Sequence, residues 1–176
     1  VHLSNTYMLE TQLGWSGVIA EPNPRYSDAI KQSRFCDIST KCVYSKSGET
    51  IDFLPAKKGM LGRIAHIVPD DRQEREGRRN VDPISVDTIS LSDLLTEVNA
   101  PKTIHFMSVD TEGSEFHILD AFDFSQWDIR TIAVEHTEPA KRTKIFDLLT
   151  SQGFVRKWAS LSAIDDWYVK REITNC

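Results

Sequence analysis

Short apolar runs alternate with segments of helical periodicity along this chain, and that alternation constrains its fold most strongly. A short apolar run suits a buried strand. A helical stretch between two such runs suits the crossover that parallel strands require. The pattern predicts an α/β fold with a mostly parallel sheet. Strands are expected at Gly17 to Ala20, Lys41 to Tyr44, Thr50 to Leu54, Ile104 to Val109 and Ile129 to Val134, with an edge strand at Ile84 and Val86. A helix is expected from Ser4 to Leu13, capped by Ser4 or Asn5 and stopped by Gly14. Others follow Pro24, a cap at Ser92, the turn at Ser114, and Pro139. Phe154 to Trp158 and Trp167 to Lys170 both read as strands, and no helix fits between them. They are therefore expected to pair antiparallel as a C-terminal hairpin.

The 176 residues suit a single domain spanning 1–176. Against 26 acidic residues stand 21 basic ones, a net charge of -5. Such a chain lacks the overall basic footprint of a nucleic-acid binder. No apolar run approaches the ~20 residues of a membrane helix. Cys36, Cys42 and Cys176 form no CxxC, so neither a disulfide framework nor a zinc site is expected, and a reducing, cytoplasmic setting follows. Residues 68–83 hold a dense run of both charges and are expected to form a mobile loop, with a lid over a ligand as its functional reading.

In open α/β sheets, ligands bind beyond the carboxyl ends of the strands. Polar residues recur there: Glu21, Ser45, Asp110 with Glu112, and Glu135 with His136. Glu21 is acceptor-only with two oxygens, which suits a ribose diol, whether of NAD or of S-adenosylmethionine. As a structural residue it would be a turn acid. Asp110 to Glu115 packs three carboxylates around Gly113 at a strand-to-helix turn. Acids there also suit the helix dipole. Hard cations want more oxygens than this segment offers, so no metal is expected. His136, beside Glu135, could serve as a general base. No GxSxG is present, and nothing supports a nucleophilic enzyme.

Three segments carry a family resemblance. Ser108-Val109-Asp110-Thr111-Glu112-Gly113-Ser114-Glu115 resembles the "K-I-D-V-E-G-A-E" hallmark of FkbM-type methyltransferases. Ser4 to Glu10, followed by Gly14 to Pro24, is similar to that family's first helix and second strand. Val86 to Leu95 resembles its "V-x-T-L-D-x-L-L" stretch. The resemblance implies a class I methyltransferase (Rossmann-like) three-layer sandwich that methylates hydroxyl oxygens from S-adenosylmethionine. It implies Glu21 on the ribose, Ser45 near the adenine and Asp110 bordering the cofactor, with Glu112 or His136 facing the acceptor as catalytic residues. The acceptor would be a small molecule or glycan.

The family's central first strand and glycine-rich turn would precede Val1, so truncation at the N-terminus, weak cofactor affinity and a homo-oligomer or strand swap are expected. Gly17 to Ala20 and Ile104 to Val109 would then pair directly or recruit a strand from another copy. Two rival readings are an NAD-type oxidoreductase, which the closing hairpin opposes, and a non-catalytic interaction module on a methyltransferase scaffold.

Overall fold

A computed structural model describes residues 4–55, 62–67, 81–136 and 139–175. Helix α1 (Tyr7–Leu13) ends on Gly14, whose φ of 69° is the left-handed conformation that glycine adopts without Cβ strain. Its N-cap is Thr6, without a side-chain hydrogen bond. The expected cap Asn5 instead donates to Ser108 Oγ and Asp165 Oδ2. Strand β1 (Val18–Ala20) leads to α2 (Pro24–Ser33), where Asn23 Oδ1 accepts from Arg25 N and Pro24 presets the first turn. Then come β2 (Asp37–Ser39), β3 (Cys42–Tyr44), β4 (Thr50–Leu54), β5 (Arg63–Ile64) and β6 (Ile84–Ser90). Helix α3 (Leu91–Glu97) is capped by Ser90, whose hydroxyl accepts from Asp93 N, rather than by Ser92. The remainder is β7 (Thr103–Val109), α4 (Glu115–Asp120), β8 (Asp128–Glu135), α5 (Pro139–Ser151), β9 (Phe154–Lys157), β10 (Asp165–Lys170) and a 3-10 turn over Arg171–Asn175.

The strands form three sheets rather than one mostly parallel sheet. β1 and β2 pair in parallel. A four-stranded sheet runs β3-β6-β4-β5, parallel between β3 and β6 and antiparallel elsewhere. β6 is therefore interior and not the expected edge, because β3 and β4 bond to its two sides. The third sheet runs β7-β8-β10-β9. β7 and β8 are parallel, and the expected hairpin of β9 and β10 joins through an antiparallel β8–β10 pair. The expected direct pairing of the first and fourth apolar strands does not occur: β1 bonds to β2 and β7 to β8. The loop expected at 68–83 falls, over 68–80, outside the described residues.

The main core lies on one face of the third sheet. Met107, Ile132 and Tyr168 share that face across three strands and meet Ile118 and Leu119 of α4 and Ile145 and Leu149 of α5. Half-buried Val18 and Val43 pack against this cluster from β1 and β3. A smaller core of Cys42, Phe53, Ile64, Ile67 and Val86 fills the second sheet. The opposite face of the third sheet carries Phe106, stacked on Trp167 with ring centroids 5.7 Å apart.

Candidate functional site

The parallel register of β7 and β8 pairs Val109 with Val134. The next residue on each strand is an acid, so Asp110 and Glu135 stand side by side beyond the carboxyl ends. Glu112 joins them, and one carboxylate oxygen from each of the three lies within 4.8 Å of the others. β10 adds Asp165, paired with Glu135 across the antiparallel register.

The turn that delivers Glu112 is unusual and firmly held. Glu112 has φ 57° and Gly113 φ 112°. A β-carbon on Gly113 would stand 3.1 Å from Ile67 Cγ2 and 3.2 Å from Lys141 Nζ, so both conformation and space favour glycine. Glu115 closes the turn from below. Its Oε1 accepts from Thr111 N at 2.8 Å, Thr111 Oγ1 at 3.0 Å and Gly113 N at 3.0 Å. Glu115 is therefore the organiser of the turn. Asp110 lines the cleft, with Glu135 beside it.

Three carboxylates this close cannot all ionise cheaply. Burial, then the charges of Asp110, Glu112 and Glu115, push Glu135 up to about 9. Burial raises Asp110 as well, and the two carboxyls share a hydrogen bond, so the Asp110–Glu135 pair holds a proton more tightly than free carboxylates do. The same three acids could offer oxygens to a hard divalent cation, which takes six or more such ligands.

Glu21 follows β1 on the facing wall. Its Oε1 accepts from Asn23 N at 2.8 Å, and burial raises its pKa against that bond. Asn23 is 1% exposed, and its Nδ2 is buried without a hydrogen-bond partner. A buried amide donor left unpaired is costly, which marks the position as one built for an acceptor. Glu21, Asn23, Tyr26, Asp110, Glu112 and Ser114 all line one small cleft that opens to solvent.

The cleft thus brings together three of the five residues picked out in the sequence: Glu21, Asp110 and Glu112. Ser45 follows β3 but is not on its wall, although Cys42 and Val43 are. His136 is turned elsewhere, with Nε2 3.4 Å from Ser162 Oγ and 3.5 Å from Asp166 Oδ1. Burial lowers the His136 pKa despite that carboxylate. Asp166, 1% exposed, also takes both guanidinium branches of Arg142, at 2.8 and 2.7 Å, and Arg156 at 3.3 Å. Asn23 and Asp165 were not picked out as site residues, and Glu135 was placed on the strand-end rim but given no role of its own. For Glu135 a signal existed: two apolar runs on neighbouring parallel strands, each ending in an acid.

Residues 1–159 match the family model described as the methyltransferase FkbM domain. No curated protein and no solved structure matches the chain.

Proposed function

Since the chain belongs to the FkbM methyltransferase family, we propose that it methylates a hydroxyl oxygen of a small molecule or glycan, using S-adenosylmethionine. The observation that carries this reading is the single cleft on which Glu21 and Asn23 face Asp110 and Glu112. Its polar groups suit the cofactor. Glu21 keeps acceptor capacity for a ribose diol beyond the Asn23 N–H bond. The orphaned Asn23 Nδ2 supplies a donor in the same wall. The acid-lined end suits a cationic sulfonium, because carboxylates attract positive charge.

Bound there, the cofactor supplies an electrophilic methyl group. The chain's own part is to align the acceptor oxygen and exclude competing water, which can lower the barrier greatly. The hydroxyl proton needs a base within hydrogen-bond reach. Glu112 lines the cleft and is better placed than His136, whose ring is committed to Ser162 and Asp166. Ser45, off the cleft wall, is given no contact with the cofactor in this reading.

The test is calorimetric titration with S-adenosylmethionine and, separately, NAD, together with transfer of a labelled methyl group to alcohol acceptors. Weak S-adenosylmethionine binding with label transfer is expected. NAD binding in its place would overturn the reading, and cofactor binding without any transfer would favour a non-catalytic module.

A further inference from the structure

The loop joining β9 to β10 is built in an uncommon way. Residues 158–164, Trp-Ala-Ser-Leu-Ser-Ala-Ile, include no charge, in a chain that is 27% charged. Trp158, Leu161 and Ile164 are 59%, 80% and 59% exposed. Yet the loop is tied down. Leu161 N and Ser162 N both donate to Trp158 O, at 2.8 and 3.1 Å. Ser162 Oγ donates to Asp165 O, and His136 N donates to Ile164 O at 2.7 Å. Trp158 itself holds φ 51°, a conformation that a bulky residue adopts at a cost. Three large apolar side chains exposed within seven residues of a tied-down loop are the kind of surface that marks a ligand-binding site.

The loop also adjoins the acid cluster. Ile164 is followed by Asp165, which sits opposite Glu135 in the β10–β8 register. From Trp158 an aromatic row leads back along the sheet, with Trp158 against Trp167 at 6.4 Å and Trp167 stacked on Phe106. Three side chains of this size offer about 400 Å², half of what one partner contributes to a stable protein interface. That is too little for a second copy and ample for a small ligand.

We propose that this loop is the specificity surface for the acceptor. It holds the apolar, uncharged body of a small alcohol whose hydroxyl reaches the Asp110, Glu112 and Glu135 cluster. The inference rests on the methyl-transfer reading, but its surface can be tested without it. A free sugar would need polar groups that Leu161 and Ile164 do not offer.

The probes are 1-butanol, 1-hexanol and 1-octanol, with glucose as the polar control. Binding is read from methyl resonances of Leu161 and Ile164 and the indole resonance of Trp158. Affinity is expected to rise about two- to fourfold per added methylene, with no shift by glucose. L161S/I164S should abolish the chain-length dependence while leaving S-adenosylmethionine binding unchanged. W158S provides a second variant should that one fail to fold. Equal shifts along the series, or a dependence indifferent to both variants, would overturn the proposal. So would variant-sensitive binding to phosphatidylcholine vesicles without monomeric alcohol binding. Label transfer to octanol is scored separately. If the resonances shift and no transfer occurs, the surface stands and the methyl-transfer reading fails.

Discussion

At the scale of single residues, Glu135 and Glu21 carry the sharpest expectations. Glu135 titrates near 9 when folded and near 4.5 when unfolded. Its contribution to stability is complete below the unfolded value and is lost as pH rises through the folded one. Unfolding free energy should therefore decline between about pH 5 and pH 9, with a slope of at most about 1.4 kcal/mol per pH unit from this group. E135Q should flatten that decline and make the protein more stable than the parent at pH 8, by about 1–3 kcal/mol. Urea unfolding across that pH range is the measurement. A parent slope that survives in E135Q would move the proton to another group. For Glu21, E21Q keeps the shape but weakens the acceptor for the ribose diol. Charge-assisted hydrogen bonds contribute roughly 1.5–3 kcal/mol, so S-adenosylmethionine should bind about ten- to a hundredfold more weakly in a variant that melts like the parent. Unchanged affinity would reduce Glu21 to a turn acid.

At the scale of elements, one buried carboxylate joins three of them. Asp166 on β10 binds Arg142 of α5, Arg156 of β9 and the His136 ring at the end of β8. Burial alone would raise its pKa, but these cations, Arg142 foremost, hold it below the ordinary value. D166N weakens the bonds to Arg142 and Arg156, whose partly exposed guanidinium groups water can still reach, and should cost about 1–3 kcal/mol, seen as a lower denaturation midpoint. Because the folded pKa is depressed, the Asp166 contribution is present above the ordinary aspartate range and disappears as pH falls through the folded value. The elements themselves were largely legible. Gly14 and Pro24 punctuate helices as expected, and the gap between Phe154 and Trp167 leaves no room for a crossover. What escaped had physical reasons. β2 and β5 are three and two residues long, too short to show a period. Ser90 and Ser92 are equally good caps in sequence, and only the bond to Asp93 N decides between them. Of the site, the strand-end acids were legible, but that Asp110 and Glu135 are neighbours was not, because only the register of two strands brings them together.

At the scale of the whole molecule, the three sheets predict a gradient of protection. β8 is bonded on both sides, by β7 and β10, whereas among the described residues β7 bonds to β8 alone. Amides in the middle of β8 should therefore exchange with solvent more slowly than those of β7, although the two strands are of similar length. Hydrogen exchange read residue by residue checks this. Equal protection in β7 would mean that its other edge is covered, by a second copy or another segment.

The third sheet has a kinetic consequence. Its four strands, with α4 and α5, all come from residues 103–170 in one unbroken stretch, whereas the second sheet must bring Cys42 beside Thr88. Contacts that close short loops form sooner than those that close long ones. The C-terminal stretch is therefore expected to organise the folding transition state, with the remaining sheets condensing on it later. I132V, in the centre of β8, should slow refolding, while V86A in β6 should chiefly accelerate unfolding. Stopped-flow chevrons with the reverse assignment would place the nucleus among the first ninety residues.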